Sequence, residues 1–256
     1  MRRELDDGLC YNPHMKTISI LNINFAALTV LEALDILEGF LGEGRNHVIV
    51  TPNPEGVMLS RRNPGFRDAL QQADLALADG TGVVIASHIL GKRLPERVRG
   101  VDTAYALFER LSQRKGGFTA YFLGAARGVA EKAKANMEER FSGLKVVGFH
   151  HGFFSGEEEA AIIGEINRLG PDILFVCTGM PRSEIWAVKN RDINARVTLC
   201  LGGTLDVMAG EAKLAPGFMR KMGLEWLYRL IRQPSRIVRQ LDLVRFALAV
   251  FWEKFT

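Results

Sequence analysis

Seven short runs of almost unbroken apolar residues constrain this chain more than any other feature. They lie at 17–25, 47–50, 75–78, 119–123, 145–149, 173–177 and 197–201. Runs such as ILFVC at 173–177 and VTLCL at 197–201 lack the alternation of a strand with one wet face. Uniform apolarity of that length suits strands buried on both sides of a parallel sheet. Between the runs lie stretches of helical periodicity, at 28–41, 102–115, 129–141 and 157–169. Alternation of this kind predicts an α/β, Rossmann-like, doubly wound fold around a mostly parallel sheet.

In such folds ligands bind beyond the carboxyl ends of the strands, so the residues that follow each run carry the functional signal. They read TPNPE at 51–55, DGTG at 79–82, GAARG at 124–128, TGMPR at 178–182 and GGT at 202–204. These five turns are expected to line one edge of the sheet. Gly-rich strand-to-helix turns suit phosphate, because free backbone N–H groups and helix N-termini attract anions. Gly124 and Gly128 form such a turn without matching a Walker A loop or a full GxGxxG, and a tight turn alone would also call for them. Gly179, Gly202 and Gly203 lend weak support to a phosphate or nucleotide ligand.

Asp79 closes an apolar run and precedes Gly-Thr-Gly, which puts a carboxylate at the crevice mouth; the alternative is a helix N-cap. Thr51 and Asn53 are neutral hydrogen-bonding groups that suit sugar hydroxyls beside that carboxylate, or an ordinary Asx turn. Arg97 and Arg99 in PERVRG are either pyrophosphate ligands or solvated loop charges. Glu184 is the other acid at a crevice turn, expected in the first turn of a helix where the dipole favours it anyway. His150 and His151 follow a strand with no acid or thiol partner nearby in sequence.

From Lys213 onward the chain carries nine Lys/Arg against three acids, a net +6 within a whole-chain charge of +4, so the first 212 residues hold −2. Basicity concentrated in one segment implies an anionic partner. The apolar residues of 213–256 recur at helical spacing, Pro234 is expected to divide them into two helices, and FALAVFW at 246–252 is uninterrupted. We therefore expect a 15–212 α/β domain followed by a basic amphipathic appendage at 213–256 that meets an anionic membrane surface. No nucleic-acid motif accompanies the charge. Residues 1–14 read as a polar extension, with Met15 as an alternative start. The extension is too acidic for a signal peptide, and no stretch approaches the ~20 apolar residues of a spanning helix. With three cysteines and no disulfide framework, a cytoplasmic location is expected. Neither CxxC nor HxxxH spacing occurs, so no metal site is expected, and Asp-x-Asp, common at metal-dependent sugar-nucleotide sites, is missing.

Six segments occur in order: TPNPE at 51–55, ADGTGV at 78–83, PERVRGVD at 95–102, GMPRSEIW at 179–186, LDVMAG at 205–210 and GLEWLYRL at 223–230. Together they resemble the WecG/TagA/CpsF glycosyltransferases, with likeness from about 17 to 239. The resemblance implies an inverting, metal-independent enzyme without cofactor. It would move a hexose or N-acetylhexosamine, N-acetylmannosamine-type or glucose, from a UDP-sugar to a polyprenyl-diphosphate-linked saccharide at the inner membrane face. Such a reaction serves cell-surface polysaccharide or teichoic acid synthesis.

By the same resemblance Asp79 matches the general base, Thr51 and Asn53 the polar pair beside it, and Arg97 an arginine that holds a diphosphate. Arg229, Arg236 and Arg239 match appendage arginines that reach over the site. Two departures stand out: Ser183 where the family usually has Gln, and Leu214 where it tends to have Arg. Two other classes compete with this reading, a nucleotide-binding oxidoreductase and a non-catalytic membrane adaptor. The first lacks a strand-GxGxxG-helix unit with an acid ~20 residues on. A second copy of the chain is left open as a partner.

Overall fold

The computed structural model describes residues 15–232 and 237–255. The extension 1–14 and Pro234 lie outside the described residues. The chain opens with β1 (Thr17–Ile20) and β2 (Ile23–Ala26), an antiparallel pair. The run at 17–25 is thus a hairpin and not one strand. Leu21 and Asn22 turn it at φ 50° and 66°, the positive values of a two-residue hairpin turn. Without Gly or Pro to mark the reversal, apolar content alone conceals it.

Helix α1 (Val30–Leu41) follows a Thr29/Glu32 capping box. Then come β3 (His47–Val50), α2 (Pro54–Ser60), α3 (Pro64–Gln72) and β4 (Leu75–Ala76). Both α2 and α3 start on an Asn-Pro pair, Asn53 and Asn63 capping the backbone while proline takes a first-turn position that needs no N–H donor. Next are α4 (Thr81–Ile89), α5 (Gly100–Ser112), β5 (Phe118–Gly124), α6 (Val129–Arg140) and β6 (Leu144–His150). Helix α7 (Gly156–Leu169), β7 (Ile173–Cys177), α8 (Arg182–Lys189), β8 (Val197–Cys200) and α9 (Thr204–Met208) complete the α/β part.

Six strands form one sheet in the order β4-β3-β8-β7-β5-β6, every described pairing parallel. The apolar runs explain themselves here. In β7, Ile173, Phe175 and Cys177 enter the core on one face, while Leu174 and Val176 enter the core on the other. One face is covered by α1, α5, α6 and α9, and the opposite face by α2, α3, α4, α7, α8 and the hairpin. Helices α2 and α8 leave β3 and β7 toward one face, whereas α9 leaves the intervening β8 toward the other. The chain parts at the carboxyl ends of these three strands, which is where such sheets open a crevice.

Beyond residue 216 the described structure is helical: α10 (Gly217–Lys221), α11 (Glu225–Arg232) and α12 (Ile237–Phe255), three helices where two were expected. Helix α12 has two unlike faces. Inward, Phe246 and Val250 are buried, and Asp242 accepts from Nη1 and Nη2 of Arg62, in the turn after α2, at 2.7 Å each. Farther along, the Glu253 carboxylate accepts from the Leu21 amide at 2.9 Å, tying the helix to the hairpin turn. Outward, Leu241, Val244, Leu248, Phe251, Trp252 and Phe255 are exposed in one stripe. No described helix is long and apolar enough to cross a membrane.

Gly124 ends β5 at φ +146°, and a Cβ there would lie 2.4 Å from the Cys177 backbone. Close approach of β5 to β7 is what demands glycine. Gly124→Ala is expected to destabilise the fold by ~4 kcal/mol or more, read from urea unfolding, the size reserved for backbone clashes in a core.

Candidate functional site

A cleft of about 1080 Å³ opens along the carboxyl edge of β3, β8 and β7. Of the five turns expected to line that edge, four contribute; the turn at 124–128 does not. Gly124 therefore serves strand packing and does not face the cleft.

From β3, Thr51 and Asn53 line the cleft. Thr51 Oγ1 donates to the Cys200 carbonyl at 3.3 Å, joining the ends of β3 and β8. Asn53 caps α2, its Oδ1 accepting from the Gly56 amide at 2.9 Å, so the Asx reading holds for that oxygen even as the residue lines the cleft. A Cβ on Gly100 would come within 2.6 Å of Leu201 and 3.3 Å of Thr51. Glycine there lets the start of α5 close on this wall.

Asp79 lines the cleft half-buried. It is not a helix cap: the cap of α4 is Gly80, at φ +98°, with no side-chain capping bond.

Gly179, at φ +89°, and Gly202 and Gly203 also line the cleft. Ser183 does not. It is fully buried, its Oγ accepting from the Thr178 amide at 3.0 Å and lying 3.2 Å from the Thr178 hydroxyl. Its work is to fix the turn after β7 from beneath. Arg182, beside it, stacks over the Phe154 ring and donates to the carbonyls of Gly152 and Phe154. The paired rings of His150 and His151 sit at the end of β6, away from the cleft lining.

Arg97 is neither a solvated charge nor a lining residue. Its Nη1 donates to Thr81 Oγ1 at 3.1 Å and to Glu225 of α11 at 3.0 Å. The same Glu225 carboxylate also takes Arg99, whose other nitrogen bonds Asp102 at 2.6 Å. Glu225 lines the cleft. Sequence reasoning gave it no role, although an acid inside so basic a segment was a visible signal. Arg229 falls within α11 and Arg239 within α12, their side chains beyond what is described; Arg236 lies outside the described residues.

Glu184 lines the cleft from the first turn of α8, yet it is only 7% exposed. Its Oε2 is buried without a hydrogen-bond partner, and burial pushes the carboxyl up to about 7. The neighbouring thiols of Cys177 and Cys200 are likewise raised by burial and stay neutral. Among the described residues no group of three His, Cys, Asp or Glu is placed to hold a metal ion.

The family model for the "Glycosyl transferase WecG/TagA/CpsF family" matches residues 18–256. Among curated proteins, one from Bacillus spizizenii is 33% identical over 92% of this chain and 91% of its own length. One from Bacillus subtilis is 30% identical over 94% of this chain and 93% of its own. A Staphylococcus aureus protein is 31% identical over 87% of each. All three are named N-acetylglucosaminyldiphosphoundecaprenol N-acetyl-beta-D-mannosaminyltransferase.

The raised Glu184 carboxyl sets a pH dependence. An unfolded Glu loses its proton near 4.5, whereas the folded one keeps it to about 7. The folded state binds the extra proton between those values, so stability falls as pH rises from about 4.5 to about 7 and levels off above. The loss is on the order of 3 kcal/mol. Urea unfolding of Glu184→Gln across that range should show the decline reduced by this amount.

Proposed function

Because the chain belongs to the WecG/TagA/CpsF glycosyltransferase family, we propose that it transfers an N-acetylmannosamine-type sugar from a UDP-sugar to a polyprenyl-diphosphate-linked acceptor carrying N-acetylglucosamine. The relatives' shared name supplies the acceptor class and the sugar. The observation that carries the reading is Asp79: a carboxylate that lines the cleft together with Thr51 and Asn53 at the carboxyl edge of the sheet.

In this mechanism Asp79 takes the proton of the acceptor hydroxyl as that oxygen attacks the anomeric carbon. The bond to the UDP oxygen breaks on the opposite face, and configuration inverts. Thr51 and Asn53 orient hydroxyls beside the base. The departing diphosphate gains negative charge and needs preorganised donors. Among the described residues seven carboxylates line the cleft against Arg62, Arg182 and Lys213. Of those cations, Arg62 is held by Asp242 and Arg182 by carbonyls. That leaves Lys213 in the lining, and the family resemblance adds Arg97, on exchanging Glu225 for the diphosphate, with the appendage arginines Arg229, Arg236 and Arg239. Gly179, Gly202 and Gly203 let the donor approach backbone N–H groups closely.

The appendage brings the site to its lipid substrate. Inward anchoring of α12 leaves an outward stripe of aromatic and aliphatic side chains. Basic residues dominate the same segment. Apolar insertion plus attraction to anionic headgroups is the chemistry of a peripheral membrane helix at the cytoplasmic face.

Asp79→Asn should lower transfer from UDP-N-acetylmannosamine to N-acetylglucosaminyl-diphosphoundecaprenol by roughly 10²–10⁴-fold, with UDP binding and melting temperature retained. Full activity in that variant would remove the base from the scheme. The double variant Leu248→Glu/Trp252→Glu should lose cosedimentation with phosphatidylglycerol vesicles while its fold, set by the inner face, stays intact. Undiminished vesicle binding would place the contact elsewhere.

A further inference from the structure

Burial of Glu184 is offset only in part, by a hydrogen bond from its own backbone to the carboxyl. Its Oε2 has neither a protein partner nor access to water, and a polar atom so placed destabilises the fold. Yet the residue lines the cleft, and the broad, two-fold terminal torsion of a glutamate lets either oxygen turn toward it. A second acid, Asp206 in the first turn of α9, lines the same cleft. No ion pair to a cation is formed by Glu184 among the described residues, and burial keeps the thiols of Cys177 and Cys200 beside it neutral.

We propose that Glu184 recognises an uncharged hydrogen-bond donor, an O–H or N–H of the nucleotide-sugar, which supplies the partner the fold leaves out. The chemistry follows from the surroundings. A carboxyl with no cation beside it and a second acid nearby repels a diphosphate, so the phosphates lie elsewhere along the cleft. The uncharged ends of a nucleotide-sugar, the nucleoside and the glycosyl group, both carry O–H and N–H donors. A group kept unpaired in the empty protein and paired in the complex contributes selectivity, because a ligand lacking the donor leaves the carboxyl unsatisfied.

This inference rests on the transferase reading, and the test separates the two. Calorimetric titration with UDP and with UDP-N-acetylmannosamine, at pH 7, is compared for the parent, Glu184→Leu and Glu184→Gln, together with the melting temperature of each ligand-free protein. Glu184→Leu should melt higher than the parent, since it removes an unpaired buried polar group. It should nevertheless bind on the order of ten- to a hundredfold more weakly. Glu184→Gln keeps a carbonyl acceptor and should recover most of the affinity. Weakening toward both ligands assigns the partner to the nucleoside, and weakening toward UDP-N-acetylmannosamine alone assigns it to the sugar. Unchanged affinity for both ligands in Glu184→Leu overturns the proposal and leaves the transferase reading intact. A parent protein that binds neither ligand overturns the transferase reading itself. Glu184→Ala carries the same comparison if leucine does not fit the space.

Discussion

Burial of a parallel sheet on both faces is the constraint from which the rest of this molecule follows. Backbone groups within the strands satisfy one another, and side chains alternate into two separate cores, as Phe175 and Val176 do in β7. Such a sheet has no wet face on which to place chemistry. Ligand-binding groups are driven to its carboxyl edge, where helices depart to opposite sides and the chain must part. The cleft at β3, β8 and β7 is the geometric remainder of that wrapping.

The edge is then sealed from one side by the appendage. Bidentate pairing of Arg62 with Asp242, burial of Phe246 and Val250, and the Glu253 contact to the hairpin turn hold α12 in one orientation. Fixing the inner face dictates which residues point outward, so the exposed stripe is a consequence of the anchor. Glu225 does a parallel job for α11. By bridging Arg97 and Arg99 it couples the appendage to the arginine pair of the α/β part. Any anion that engages those arginines competes with a carboxylate of the protein's own appendage.

Much of this was legible before any coordinates. Uniform apolar runs identified buried parallel strands, and the turns after the runs named Asp79, Thr51, Asn53, Gly179, Gly202 and Gly203, all of which reach the cleft. Three readings went differently for local reasons. The segment 17–25 hides its reversal in Leu21-Asn22, where positive φ replaces the usual glycine. Gly124 looked like a phosphate turn but answers to the Cys177 backbone across the neighbouring strand. Ser183, one residue before a cleft-lining acid, turns inward to brace Thr178.

Periodicity, turn chemistry and charge clustering are short-range properties, written into residues near one another in the chain. They were sufficient for the fold class and for the crevice edge. What a given side chain does at that edge depends on neighbours far away in sequence. Arg97 meets Glu225 across 128 positions, and Arg62 meets Asp242 across 180. Glu184 is set apart by the lack of any partner for its buried oxygen. Only packing in three dimensions decides such matters, because desolvation and pairing are set by the whole surrounding shell and not by the local run of residues.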